Sequence, residues 1–478
     1  MKYTYLFVTA LYSLLSSFVV RAQHVVSIDD VDYDEKTCTI SNYKWPEGGK
    51  ENIIIPSHFG SLEIKKVGAG CFMNVNFRVD VNSGLKTVTI ENGIEQIEHS
   101  AFLYNKITKL KLSEDLRVIG DFCFESSLVS IGDLVLPKSL TSIGQCAFVG
   151  CGITSITLPD HIETIGNRSF EGNLLTCLVI PSGVNKIETD AFHGNKINHL
   201  EITGEVGYLS GFRENDLQNV VIPGTVDIIG EAAFCDNPLT SVSIGYGVRE
   251  IGVSSFASFI KIDEEEPITQ LEYIDIPSSV EIIKSQAFAY NHKLKAVGFS
   301  EGLTEICPRA FLQCALTQIA FPTSLKKIGE SAFSANQLLY IQFSEGLEEI
   351  GEKAFCYNNI TDIVLPNTLM KVGAGAFCFS GANGISLPTM NGTKCWDMFK
   401  GDIVKTNNVT YIQNSDMDLV YSYLAHFVET PTNSERVFFD VDSNDFQCID
   451  LNGRNVRCER NKSVYVKSKN KNILLKIH

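Results

Sequence analysis

The sequence predicts a repeat solenoid, mainly β with short turns and 3-10 segments, followed by a small all-β C-terminal module. Three observations carry that prediction. Phe recurs at a spacing near 22 residues from Phe72 to Phe377, and a fixed period of this size is the mark of stacked repeats. Within most intervals, apolar residues alternate with outward ones and the run stops at Pro, as a short strand does. Beyond residue 417, two alternating runs flank Asn452 and Gly453, a hairpin signal.

Composition sets the outer bounds. The chain has 478 residues, 44% apolar and 20% charged, with Gly 36 and Pro 14; this is globular usage, and it excludes collagen and disorder. Lys+Arg 40 against Asp+Glu 56 gives a net charge of −16, which speaks against nucleic acid and anionic membrane as partners.

Residues 1–22 are expected to be an export signal. Lys2 gives a positive start, residues 6–20 are mostly apolar, and Val20 and Ala22 are small residues before a cut at Gln23. The apolar run falls short of the ~20 residues of a membrane span, so no transmembrane helix is expected in the mature chain.

The spine positions are Phe148, Phe170, Phe192, Phe234, Phe288, Phe311, Phe333 and Phe355, with Phe72, Phe102, Phe124, Phe212, Phe256 and Phe377 at the same point of their units. Eight of the thirteen intervals are 22 residues, so the units are close to interchangeable and each Phe is expected to lie over the next. The residue before Phe is small, as at Ala101, Ala147 and Ala191, and we expect the backbone to turn there. Three residues after Phe stands Asn or Cys in most units, for example Asn105, Cys151, Asn173, Cys314 and Asn336. An amide there can satisfy turn groups that burial leaves unpaired. Cys serves as a small buried residue with a weak donor.

This pattern resembles the leucine-rich repeats of BspA-like surface proteins, whose unit reads roughly L-x-x-I-x-I-P-x-x-L-x-x-I-G-x-x-A-F-x-x-C/N. Residues 153–173, ITSITLPDHIETIGNRSFEGN, and 316–336, LTQIAFPTSLKKIGESAFSAN, follow it nearly throughout. The resemblance covers residues 50–390. It implies capping coils over 23–71, a leucine-rich-repeat solenoid over 72–390 and a closing or linking segment over 391–416. It also implies a secreted or cell-surface protein that adheres to an extracellular protein, either host matrix or another cell surface. A passive, self-associating surface component is the alternative. A glycan-binding accessory role is disfavoured, because the two Trp, Trp45 and Trp396, lie outside the central coils.

The outward strand position two before Pro reads Val135, Thr157, Val179, Val221, Asp275, Ala320 and Val364, with Tyr273 and Tyr340 two residues earlier in their coils. This low-charge row is the candidate contact surface. Extra residues are expected to loop out near 74–83 and 261–270, the latter carrying Asp263, Glu264, Glu265 and Glu266; a solvated loop is the favoured reading. The cluster Asp29, Asp30, Asp32 and Asp34 is read the same way. The stretch from Asp440 lacks the Gly and Glu of a calcium loop.

Fourteen Cys in an exported chain suggest disulfides. Cys71, Cys123, Cys146, Cys151 and Cys314 nevertheless fall on core offsets, which favours buried thiols. Cys356 and Cys378 share an offset in adjacent coils, and Cys448 and Cys458 form a second candidate pair. There is no CxxC and no Cys/His cluster, so neither metal nor cofactor is expected. No HExxH, GxSxG, P-loop or GxGxxG occurs, and His99, His161, His193 and His292 are scattered; no catalytic residue is expected and the chain reads as a non-enzyme.

Residues 417–478 form the expected C-terminal module. Residues 454–478 hold eight Lys/Arg against Glu459 alone. The run DLNGRNV followed by SVYVKSKNKNILLKI is similar to the terminal sorting domain of type IX secretion substrates, with Ser463 and Val464 where that family has Gly before its Tyr-Val strand. The resemblance implies passage across the outer membrane of a diderm bacterium, to the cell surface or the medium.

Overall fold

The computed structural model describes residues 23–45, 50–76, 83–259, 268–360, 362–373 and 375–378, with short strand segments farther on. Residues 1–22, most of both expected loops and the side chains of the C-terminal module lie outside them. So does the Cys448–Cys458 pair. Of that module only strand backbones are described, Arg436–Asp440, Cys448–Asp450, Ser463–Ser468 and Lys471–Lys476.

The chain divides into two compact units, Met1–Glu205 and Val206–His478, and the described residues of each, up to residue 378, form a β-solenoid. Every complete coil contributes two strands, because each coil has two apolar segments to bury and Pro or a turn between them. A two-residue strand ends in Ile, Leu or Val, and the successive strands pair in parallel register. In the first unit these include Val118–Ile119, Ser142–Ile143, Thr164–Ile165 and Lys186–Ile187. In the second they run from Tyr208–Leu209 and Ile228–Ile229 to Glu349–Ile350 and Lys371–Val372. Three- or four-residue strands form the opposite side, such as Cys177–Ile180 with His199–Ile202 and Tyr273–Ile276 with Ala296–Phe299. In Cys177–Ile180 and Tyr273–Ile276 alternate residues are buried, so these strands read out-in-out-in.

The first unit begins differently. Asp32–Asp34 and Thr39–Ser41 form an antiparallel hairpin whose second strand pairs with Lys66–Val67. The aspartates there are occupied: Asp30 accepts from Ser27 and His24, Asp32 from Asn42, and Asp34 from Lys36 and Thr37. They organise the turn rather than present free carboxylates. The 3-10 segment Ile28–Asp30 is the only helical element among the described residues.

The Phe rings stack through each unit. In the first, Phe72, Phe102, Phe124, Phe148, Phe170 and Phe192 have centroids 5.1–5.4 Å apart with interplanar angles of 10° or less. In the second, the stack runs from Phe212 through Phe234, Phe256, Phe288, Phe311, Phe333 and Phe355 to Phe377 at 5.1–5.6 Å. Centroid spacings above the ~4.8 Å strand repeat mean that the rings are offset, the arrangement their quadrupoles prefer.

The small residue before Phe lies within the expected turn and has a further role. The backbone turns two residues before Phe and two after it, at left-handed positions such as Ser100 and Tyr104, Arg168 and Gly172, Ser331 and Ala335. The small residue between is fully buried, and its carbonyl accepts the N–H of the preceding coil's Phe, as Ala332 does from Phe311 at 2.7 Å and Ala354 from Phe333 at 2.7 Å. A larger side chain there would wedge adjacent coils apart and break that ladder.

Candidate binding face

The two sides of a coil differ in what they expose. On the short-strand side many of the outward residues are charged and paired with the next coil. In the second unit Asp227 pairs with Arg249, Glu305 with Lys327 at 3.4 Å, Lys326 with Glu348 at 3.4 Å and Glu349 with Lys371 at 2.6 Å. Such exposed pairs contribute only ~0–1 kcal/mol each. They nevertheless neutralise that side locally and give a partner little unpaired charge to recognise.

The long-strand side is the opposite case. In the second unit its outward positions are Asn219 and Val221, Ser241 and Ser243, Tyr273 and Asp275, Ala296 and Gly298, Gln318 and Ala320, then Tyr340 and Gln342, with Val364 farther on. Asp275 is the one carboxylate among these, and Tyr273 donates its hydroxyl to it. That bond, then burial, holds the Tyr273 phenol above its usual range. At the border of the face, Lys295 and Glu272 pair at 2.9 Å. In the first unit the same side is more charged, with Lys109, Lys111, Asp133 and Glu201 exposed beside Val135, Thr157 and Val179.

All nine residues of the expected contact row are exposed, with Val135 at 78%, Val221 at 68% and Val364 at 68% the most open. The row is interrupted, however. In register, Val179 stands opposite Glu201, Val221 opposite Ser243, Asp275 opposite Gly298 and Ala320 opposite Gln342. A row anchored on Pro skips the coils that turn without it, where Thr203, Gly245, Ser300 or Ser344 follows the strand. Gly298 and Gln342 were therefore missed, and counting in steps from Phe rather than from Pro finds them; Gln318 was missed because it stands two residues before the counted position of its coil.

The corner beside the Phe stack is closed and offers no such surface. Burial pushes the Cys151 and Cys314 thiols up to about 12, and raises Cys123 and Cys235 as well. These are not reactive nucleophiles. Cys356 and Cys378, each one residue past Phe in adjacent coils, are joined by a disulfide with Cα atoms 4.5 Å apart. At the equivalent place in the first unit, Glu171 is bound by Arg168 and His193; burial raises its carboxyl, but these partners outweigh that and hold it low. His292 is half-buried, which lowers its pKa. Among the described residues, no group of His, Cys, Asp and Glu is placed to hold a metal ion, and no helix is long and apolar enough to cross a membrane.

Comparison with known proteins gives three solved structures of similar repeats. A leucine-rich repeat protein from Bacteroides ovatus is 21% identical, covering 80% of this chain and 99% of that one at a TM-score of 0.47. A leucine rich cell surface protein from Faecalibacterium prausnitzii is 23% identical over 66% and 92%, with a TM-score of 0.33. The pneumococcal vaccine antigen PcpA is 16% identical over 77% and 83%, with a TM-score of 0.35. No curated protein matches the chain. The model of the BspA type leucine rich repeat region matches in six copies, over residues 38–173, 119–211, 208–266 and 265–383. Those stretches contain the stacked Phe residues and both strand ladders described above, and the chain belongs to the BspA type leucine-rich-repeat family.

Proposed function

We propose that the chain is a secreted or bacterial cell-surface protein that attaches to an extracellular protein, host matrix or another cell's surface, through its long-strand face. The observation that supports this is the contrast between the two sides of the coil in the second unit: one side carries charges paired with its own neighbours, while the other leaves Val, Tyr, Asn, Gln and Ser side chains exposed and low in charge. Interface cores are depleted in charge and enriched in aromatic residues in the same way. Residues 1–22 act as the export signal in this reading, and 417–478 as the sorting domain. No residue is assigned a catalytic role.

The experiment is a pull-down of extracellular proteins on the purified protein, compared with the Val179→Lys and Val221→Lys variants. Both sites are exposed strand positions, so folding should be nearly unchanged, within ~0.5 kcal/mol. Attachment should weaken in one or both variants. Equal capture by all three proteins removes the strand face from the reading. Concentration-dependent sedimentation with no captured protein favours a self-associating surface component instead.

A further inference from the structure

The long-strand face of the second unit contains a more specific feature than a low-charge surface. Tyr273 begins the strand Tyr273–Ile276, and its hydroxyl donates to Asp275 two residues on. That hydroxyl also lies 3.0 Å from where a Cβ on Gly298 would stand in the neighbouring strand. The ring therefore runs across the sheet toward the next coil instead of projecting upright. It remains 52% exposed. Gly298 is what leaves room for it, since any side chain there would meet both the Tyr273 hydroxyl and the Asp275 carboxylate.

Beyond this ring the surface falls and rises again. Ala296 and Gly298 stand in register with Tyr273 and Asp275 on the paired strand; the next pair of strands, a separate two-stranded sheet, brings Gln318 and Ala320, with Tyr340 opposite Gln318 and 59% exposed. The two tyrosines are three coils apart, roughly 14 Å at the strand spacing of the continuous opposite ladder. The result is a shallow trough: the Tyr273 ring reaches over Gly298 at its near end, Ala296 and Ala320 are its small residues, Tyr340 stands at the far end, and a carboxylate and an amide lie along it.

We infer that this trough binds a neutral carbohydrate, with Tyr273 as the stacking platform, Asp275 and Gln318 as its hydrogen-bonding groups and Tyr340 as the far wall. A pyranose has an apolar C–H face to lay on a ring and a rim of hydroxyls for a carboxylate and an amide, which both accept and, for Gln318, donate. Charge argues against an anionic ligand: the Asp275 carboxylate keeps its negative charge while accepting from Tyr273, and the border charges Glu272 and Lys295 pair with each other and leave no cation to attract one. The bond to Asp275 fixes the platform before binding, which reduces the ordering cost. The scarcity of Trp is no obstacle, because tyrosine provides the flat surface. This goes beyond attachment to a protein, and the two readings fail separately.

The test is affinity electrophoresis of the purified protein through gels containing galactomannan, xyloglucan, laminarin or glycogen. Retardation is expected in at least one gel, with affinity at least tenfold lower for Tyr273→Ala and for Tyr340→Ala. Gly298→Leu, which displaces the ring without removing it, should also lose retardation. Tyr246→Ala, which removes an exposed tyrosine outside the trough, and Val221→Lys, which is aimed at the protein-binding reading, should both keep it. Thermal midpoints identify any variant that fails to fold, and the remaining variants then decide. The inference is overturned if no gel retards the protein, or if retardation survives both tyrosine substitutions. Capture of a deglycosylated protein through these tyrosines, with no polysaccharide retarding the chain, also overturns it.

Discussion

Coils that carry Asn three residues past Phe and coils that carry Cys there close the same corner with different bonds. The Asn336 amide donates to Phe311 O at 2.8 Å and Phe333 O at 3.1 Å, and its oxygen accepts the Leu316 N–H at 3.1 Å. Asn173 does the same with Phe148, Phe170 and Ile153, and also accepts from Cys151 N. Cys314 keeps one part of this, a thiol donating to Phe288 O at 3.1 Å, and Cys151 donates likewise to Phe124 O at 3.2 Å. Ser127 donates to Phe102 O at 2.5 Å. The bond shared by all three residue types is the one to the preceding coil's Phe carbonyl. That carbonyl faces a dry corner, where leaving it unmade costs ~1–3 kcal/mol. Acceptance on the other side is optional, because where Cys151 supplies no acceptor, Val129 N reaches Ile107 O at 2.8 Å instead.

The comparison assumes that the rings fix the distance across which these bonds form. Phe333 lies between Phe311 at 5.2 Å and Phe355 at 5.4 Å, fully buried. Phe333→Ala should therefore be the most damaging change, costing ~3–5 kcal/mol through the cavity left in the stack. Denaturant unfolding measures it. An unchanged midpoint would mean that the hydrogen-bond ladder alone sets the coil spacing.

Much of this corner is legible in the sequence and part of it is not, for a physical reason. The Phe, Asn and Cys positions repeat because each coil must offer the same groups to the next, so spacing alone finds them. The left-handed positions do not announce themselves. Phe122, Arg168 and Lys353 all adopt positive φ there, although isolated residues of these types avoid it at a cost of ~1–2 kcal/mol. The inter-coil ladder overrides the local preference, and no residue type marks the site. On the strand face, the Pro-anchored row found Val221 and Asp275 but passed over Gly298, whose role depends on a ring from another coil. Cys356 and Cys378 were legible as a pair because equal offsets in adjacent coils bring side chains together.

Removing the amide is the next largest test. Asn336→Ala leaves Phe311 O and the Leu316 N–H without their bonds to this side chain in a buried corner, and removes one of the two amide donors to Phe333 O. Phe333 O retains Asn358 at 2.9 Å. The expected loss is ~2–4 kcal/mol. Cys314→Ala removes a single weak donor and should cost only ~1–2 kcal/mol. Equal losses from the two changes would break the comparison, since they would mean that filling the corner matters and bonding does not. Reduction of the Cys356–Cys378 bridge, which closes a 22-residue separation, gives a calibration of ~3 kcal/mol on the entropic account. It acts on the unfolded chain instead of on the corner.

The smallest expected effect is also the most discriminating. Cys314→Ser should cost less than ~1 kcal/mol at pH 7, because Ser127 already makes the same donation to a Phe carbonyl. The difference between thiol and hydroxyl emerges at high pH. Burial pushes the Cys314 thiol up to about 12, whereas an unfolded thiol ionises near ~8.5. The folded state therefore keeps a proton that the unfolded state releases, and the stability this provides is complete below the unfolded pKa and falls as pH rises toward the folded one. Across that window the wild-type protein should lose ~1.4 kcal/mol per pH unit for each such thiol. The Ser variant has one titrating group fewer, so its stability should decline less steeply, and the two unfolding curves should converge and then cross between pH 9 and about 12. Parallel curves would show that the thiol reaches solvent in the folded protein, and that the Cys corner is more open than the Asn corner it replaces.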